Sequence, residues 1–310
     1  MADVKNQIIE EVKKVICGKD EVIRLVMTAM LSGGHILIED VPGVGKTSMA
    51  LAFSKAMGLD YGRVQFTPDV LPSDITGFSI MDKETHEMHY HKGAIFHNLF
   101  LADELNRASS RTQSAFLEAM EEGQVTVDEK TYPLPEPFFV FATQNPSGAA
   151  GTSLLPDSQM DRFTVRISMG YPANLDEKAM LINRQDGMNP LKTVERVCTA
   201  EDMMRMREEA AKVHVRDKLF DYIVALADAT RNHPDLERGA SPRATLALTA
   251  MAKAYAYMHD REFVSNEDVQ TVFVPVMSHR LLLTPEAEFN EVKTEDIAKE
   301  IVKKTRVQEK

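Results

Sequence analysis

The chain is poor in the features that mark secreted, membrane-embedded and nucleic-acid-coating proteins. Its 310 residues contain two cysteines, Cys17 and Cys198. They form neither a disulfide framework nor a metal spacing, so both read as buried structural thiols. No apolar run approaches the ~18 residues of a membrane span. The opening segment, Met-Ala-Asp-Val-Lys-Asn-Gln, carries no apolar signal region. A cytoplasmic location is the expectation. Positive charge is in deficit: the net charge is −11. That argues against a broad nucleic-acid-binding surface, though not against a local basic pore. Pro/Gly/Ser-rich spacers, internal repeats and low-complexity segments are missing as well. What remains is a length that permits about two domains and a hydrophobic content of 44% that can fill their cores.

The densest information lies in residues 38–48, Ile-Glu-Asp-Val-Pro-Gly-Val-Gly-Lys-Thr-Ser. An apolar run at residues 35–38 leads in, and a helix-like run over 46–57 leads out. This is the strand, Gly-rich loop and helix that a phosphate-binding P-loop requires. Gly43 and Gly45 allow unusual backbone angles and close approach of N–H groups to phosphate. The helix N-terminus adds donors and the positive end of a dipole. Lys46 would reach the β- and γ-phosphates and the Thr47 hydroxyl would hold Mg²⁺, with Pro42, Val44 and Ser48 completing the cradle. The motif lacks its usual first glycine. Asp40 stands there, and Asp tolerates such turns.

The first half of the chain alternates strands (residues 35–39, 63–66, 98–103, 138–143 and 163–168) with helices (46–57 and 110–122). Near-continuous apolar strands alternating with helices indicate a parallel sheet covered on both faces, with ligand at the carboxyl ends of its strands. Two β-hairpins interrupt the pattern, at 78–92, turning near 83–85, and at 123–134. From about residue 174 the chain reads as helices over 176–185, 200–212, 216–232, 242–259 and 266–272. Ser241-Pro242 and Ser265-Asn266-Glu267-Asp268 supply helix starts. A charged amphipathic helix over 294–310 closes the chain. The expected division is an α/β core over residues 1–172 and a small all-helical domain over 173–310.

Leu99-Phe100-Leu101-Ala102 ends in Asp103-Glu104, a strand delivering two acids to the sheet edge. Asp103 would coordinate Mg²⁺ and Glu104 would polarise the attacking water. A further strand ends in Thr143-Gln144-Asn145-Pro146. Asn145 either contacts the γ-phosphate and orients water or is a turn residue before proline. His89 and His91 would share one strand face, with His86 across the turn. Such spacing can bind a transition metal, but no Cys or second motif supports it over an exposed polar hairpin.

These residues resemble the AAA+ ATPases, and within them the MoxR group. The narrower match rests on Glu39-Asp40-Val41-Pro42-Gly43-Val44-Gly45-Lys46-Thr47, on residues 65–77 (Gln-Phe-Thr-Pro-Asp-Val-Leu-Pro-Ser-Asp-Ile-Thr-Gly) and on Leu101-Ala102-Asp103-Glu104-Leu105-Asn106-Arg107-Ala108. Gly239-Ala240-Ser241-Pro242-Arg243-Ala244 and Val276-Met277-Ser278-His279-Arg280-Leu281 agree as well. The resemblance implies a P-loop AAA+ core with a parallel sheet, a helix 2 insert and a hairpin before sensor 1, plus a helical lid. It implies ATP and Mg²⁺ as cofactors. Asn145 resembles sensor 1. Arg162 resembles the arginine finger acting on a neighbour's ATP, with Arg107 and Arg111 as rivals. Arg243 resembles sensor 2, reaching the γ-phosphate of its own subunit. The segment containing Ile16 and Gly18 resembles the adenine pocket lining.

The implied function is that of a chaperone-like remodeller, a ring and by resemblance a hexamer, in which the lid rotates against the core. Its expected partner is a separate protein with a von Willebrand factor A domain, used in maturing or activating protein complexes. A chelatase motor subunit and a nucleic-acid motor are the alternatives, the latter disfavoured by net acidity. A non-hydrolysing nucleotide-gated scaffold is disfavoured by the intact set of Lys46, Asp103, Glu104, Asn145, Arg162 and Arg243.

Overall fold

The structure, a computed structural model, describes residues 2–145, 155–183, 185 and 187–306. Helices α1 (Ala2–Lys13) and α2 (Asp20–Leu31) precede strand β1 (Ile36–Glu39), helix α3 (Lys46–Ala56) and strand β2 (Tyr61–Gln65). Helix α4 (Pro72–Thr76) leads into the hairpin β3 (Gly77–Met81) and β4 (Met88–Lys92). Next come β5 (Leu99–Asp103), α5 (Ser110–Glu122) and a second hairpin, β6 (Gln124–Val127) and β7 (Lys130–Pro133). Strand β8 (Phe139–Gln144), helix α6 (Asp157–Met160) and strand β9 (Val165–Ile167) complete the α/β part.

The main sheet has the order β2-β5-β8-β1-β9, with every neighbouring pair parallel. Alternate residues of its strands go to opposite faces, and both faces are buried. Ile36, Ile38, Leu99, Leu101, Phe139 and Phe141 join one apolar cluster, whereas Leu37, Phe100, Ala102, Val140 and Ala142 join another. This explains why the strands read as continuous apolar runs in sequence.

The helical part begins with α7 (Asn174–Ile182), α8 (Ala200–Ala211) and α9 (Asp217–Arg231). Strand β10 (Leu236–Arg238), helices α10 (Pro242–Met258) and α11 (Asn266–Met277), strand β11 (Leu282–Leu283) and helices α12 (Pro285–Phe289) and α13 (Thr294–Lys304) follow. Side-chain caps set the starts: Ser241 accepts from Ala244 N–H, and Ser265 forms a reciprocal capping box with Asp268. Helix α11 runs beyond the expected residue 272 and through Pro275, because its buried face continues over Phe273, Val276 and Met277. The closing helix stops at Lys304, where Thr305 turns extended; residues 307–310 lie outside the described residues.

Three features differ from the sequence reading. The first 34 residues contain two helices beyond the expected elements, both carrying apolar faces into the core. Helix α7 buries none of its residues, and its Leu175 and Leu181 are 82% and 71% exposed. The helical part is also continuous with the α/β part. Val26 and Met30 of α2, Met206 of α8 and Leu248, Met251 and Ala252 of α10 belong to the same buried cluster as the sheet.

The N-terminal edge of the sheet is tied together by His35. Its Nδ1 accepts from Val140 N–H at 3.1 Å, so its Nε2 carries the proton and donates to Met120 O, also at 3.1 Å. A second ring proton would point at the Val140 donor. Burial, aided by the nearby Arg207 charge, lowers the His35 pKa to about 4 from an ordinary 6.5. The unfolded chain therefore takes up this proton first as pH falls. The contribution of His35 is complete above pH 6.5 and is lost progressively towards pH 4. At ~1.4 kcal/mol per pH unit it amounts to at most about 3–4 kcal/mol. Urea unfolding across that range should show the loss. His35→Gln, which can accept and donate but cannot gain a proton, should flatten the slope. An unchanged slope in the variant would exclude His35 as its source.

Candidate active site

The loop between β1 and α3 holds Gly43 and Gly45 at φ 88° and 100°. A Cβ on Gly43 would meet nothing within 4 Å. The glycine there serves the left-handed backbone and leaves open space above it, as a phosphate cradle needs. Lys46 is buried, and its ammonium donates to Asp40 O at 2.7 Å and Asn145 Oδ1 at 3.2 Å. Burial lowers the Lys46 pKa, while the carboxylates of Asp40, Asp103 and Glu104 pull it back up. An anion in the cradle would relieve that desolvation directly.

Asp40 does not act as a turn residue. Its backbone is absent from the positive-φ positions. Its Oδ2 accepts from Met169 N–H and Gly170 N–H, each at 2.6 Å, and from the Ser168 hydroxyl at 3.0 Å; Oδ1 accepts from Val41 N–H at 2.9 Å. The carboxylate thus fastens the start of the P-loop to the chain leaving β9. It is spent on the protein, and only the Asp40 carbonyl meets Lys46.

The acids come from β5. Asp103 Oδ1 accepts from the Thr143 hydroxyl at 2.6 Å, and Oδ2 accepts from Arg63 at 2.7 Å. Glu104 sits in the left-handed region at φ 55°, with its N–H donating to Thr143 Oγ1 at 2.8 Å. Such a conformation costs a non-glycine residue about 1–3 kcal/mol and persists where surrounding contacts dictate it. Here it turns the Glu104 side chain across to β8, where Oε1 accepts from Asn145 Nδ2 at 3.0 Å. Oε2 accepts from Arg107 at 2.8 Å. A polar chain Lys46–Asn145–Glu104–Arg107 results.

Pro42, Gly43, Gly45, Lys46, Thr47, Ser48, Asp103, Glu104 and Asn145 line one cleft of about 300 Å³. Val44 packs against the core instead. Ile16 borders the loop, its Cδ1 lying 3.6 Å from where a Gly45 Cβ would be. Gly18, at φ 68°, is covered by the Asp176 carboxylate. No helical-part residue lines the cleft among the described residues. Thr47 and Asp103 line the same cleft, and their hydroxyl and carboxylate are of the kind that hold Mg²⁺ beside phosphate.

Arg162 and Arg243 lie elsewhere. Both pair with Glu121 at the end of α5: Arg162 Nε is 3.3 Å from Oε2, and Arg243 contacts Oε1. Glu121 follows Met120, which is bonded to His35 at the start of β1. Arg162 likewise precedes β9. The two arginines therefore occupy the N-terminal edge of the sheet. Their own P-loop is at the other edge, roughly 15 Å of strand away at 3.3 Å per residue. The expectation that Arg243 reaches the phosphate of its own subunit does not fit this arrangement. Arg107 and Arg111 are exposed, and Arg107 is engaged with Glu104 of its own chain. His89 and His91 share a face of the first hairpin with Phe78 and Ile80. Among the described residues no three metal-ligating side chains converge. The sequence reading missed Thr143, Arg63 and Glu121. Thr143 follows Ala142, which pairs with Ala102 across β5 and β8, and it meets Asp103 there; no local sequence signal marks that pairing.

A family described as "ATPase family associated with various cellular activities" matches residues 35–165, and an AAA lid domain matches residues 228–301. The protein YeaC of Bacillus subtilis (strain 168) is 45% identical over 96% of this chain and 93% of its own length. Chaperone MoxR1 of Mycobacterium tuberculosis is 37% identical over 94% of this chain and 79% of its own. A crystal structure from Cytophaga hutchinsonii ATCC 33406, of a protein proposed to be an ATPase, superposes with a TM-score of 0.91. It is 37% identical and covers 99% of this chain and 96% of that one.

The geometry of Asp40 gives a prediction opposite to the one its place in the motif suggests. Asp40→Gly would supply the customary residue, yet it strips the Met169 and Gly170 amides of their acceptor. Leaving buried donors unpaired costs about 1–3 kcal/mol. Denaturant unfolding should show this loss, and titration with a fluorescent ATP analogue should show weaker binding. Wild-type values in both would remove Asp40 from the role.

Proposed function

The chain is a member of the MoxR family of AAA+ ATPases, and from that premise we propose that it hydrolyses Mg²⁺–ATP at sites shared between neighbouring copies and uses the cycle to remodel a protein client. The observation that carries this reading is the split of the hydrolytic set between two edges of one sheet. Lys46, Thr47, Asp103, Glu104 and Asn145 meet at one edge; Arg162 and Arg243 meet on Glu121 at the other. A head-to-tail contact between copies unites the two halves, and a rotation that closes gives a ring.

In this reading the P-loop amides and Lys46 bind the phosphates, and Thr47 and Asp103 would hold the ion. Mg²⁺–ATP, when bound, supplies the phosphoanhydride bond and a divalent charge that offsets phosphate oxygen charge. Glu104 accepts a proton from the attacking water, oriented for that by its bond from Asn145. Asn145 then also fixes Lys46, so a γ-phosphate is sensed by both. Arg162 and Arg243 of the next copy stabilise charge on the transferred group. The Arg162 side chain is part-exposed beside Glu121 at that edge, where a neighbouring copy can reach it.

The division into a nucleotide-binding core over residues 1–172 and a lid over 173–310 belongs to this proposal. So do a hexameric ring, a cytoplasmic setting and a separate partner with a von Willebrand factor A domain acting in complex maturation. Family membership and the chaperone name of a 37% identical relative support them. Among the described residues no helix is long and apolar enough to cross a membrane.

Glu104→Gln should bind ATP normally and lose turnover by about 10²-fold or more; unchanged turnover would remove Glu104 from its role. Arg162→Ala should lose about 10³-fold in turnover with nucleotide affinity spared. Mixing it with Lys46→Ala chains should restore hydrolysis, because intact P-loops then meet intact arginines. No recovery at any mixing ratio would sink the shared site.

A further inference from the structure

Arg280 follows α11 in a short 3-10 turn and is 7% exposed. Its guanidinium has five N–H donors, and each has a partner inside the protein. Nε donates to Asp161 Oδ1 at 2.8 Å. One terminal nitrogen donates to Thr164 O at 3.1 Å and to Val276 O. The other donates to Phe163 O at 2.6 Å and Asp161 O at 3.3 Å. Four of these five bonds fall on residues 161–164, the segment that carries Arg162. With no donor left over, Arg280 cannot serve a nucleotide; it serves that segment.

Two further contacts grip the same place. His279 Nε2 donates to Phe163 O at 3.0 Å. Ser241, the N-cap of α10, donates to Asp161 Oδ2 at 3.0 Å. Arg243 sits in the first turn of that helix. Residues 161 and 163, on either side of Arg162, are thus held by the end of α11 and the start of α10.

We propose that Arg280, through Asp161, is the positioning residue that joins the lid helices to the arginine finger, so that lid, Arg162 and Arg243 enter the neighbouring copy's site as one body. This rests on the shared-site reading above. A movement of one subunit's lid then changes the electrostatics of the next subunit's phosphate, with no contact between that lid and its own P-loop.

Arg280→Lys tests it, since a lysine keeps the charge but not the planar fork that spans five acceptors. The variant should bind a fluorescent ATP analogue with wild-type affinity and turn ATP over on the order of 10²-fold more slowly, as expected of a misplaced group. Mixed with Lys46→Ala chains, it should recover hydrolysis, because the Lys46→Ala copies supply a correctly held finger to the Arg280→Lys copies' intact P-loops. A general structural role would not be rescued in this way. Arg162→Ala mixed with Lys46→Ala runs in parallel. If that pair recovers and the Arg280→Lys pair does not, the positioning role is overturned. Full turnover by Arg280→Lys alone overturns it too. If the Arg162→Ala pair fails, the shared site falls and takes this proposal with it. Should Arg280→Lys fail to fold, Asp161→Asn, at the more exposed end of the same ion pair, replaces it in the same mixtures.

Discussion

A parallel sheet delivers the C-terminal end of every strand to one edge, and that polarity governs what this chain can do by itself. The P-loop after β1, the acids after β5 and Asn145 after β8 share that edge because β5, β8 and β1 are neighbours in register. The segment entering β9 must by the same rule lie at the opposite edge, and it carries Arg162. No side-chain rotation spans the length of the strands. A site needing both sets is therefore an intermolecular one, and this follows from strand direction before any side chain is considered.

Within the P-loop edge the charges are arranged so that none is idle. Lys46 is held by a carbonyl and an amide oxygen in place of a carboxylate, and burial lowers its pKa. Thr143 takes one oxygen of Asp103 and fixes the backbone of Glu104, so a single hydroxyl sets both acids. The left-handed backbone at Glu104 is the cost of aiming its carboxylate across to Asn145.

These relations divide what the sequence could and could not reveal. Gly43, Gly45, Lys46 and Thr47 were legible because the P-loop is a local device: its backbone angles, donors and helix start are encoded within a few consecutive residues. Asp103 and Glu104 were legible because an apolar strand announces where its end must be. The role of Asp40 was misread because its partners, Ser168 to Gly170, are distant in sequence and offer mostly backbone amides, which have no sequence signature. Glu121, Arg63 and the pairing of Arg243 depend on tertiary approach and were invisible for the same reason. Helix α7 shows the converse limit. Its apolar spacing is real, but periodicity reports a face that could be buried, and nothing among the described residues covers it.

The lid's packing then bears on how work is transmitted. A lid that swung freely over its own core would need a polar or small seam, yet α10 and α8 share a continuous apolar cluster with α2. Ser32 and Met251 touch across that seam at 3.4 Å, and Lys5 of α1 pairs with Asp260 just beyond α10 at 2.8 Å. Exposing on the order of five buried side chains there, at about 2 kcal/mol each, would cost roughly 10 kcal/mol. That is comparable with the whole stability of an ordinary domain, about 5–15 kcal/mol. Separating these helices from the core is therefore costly, and the Arg280–Asp161 pair lies where it would hold the arginines steady if the chain moves as a block.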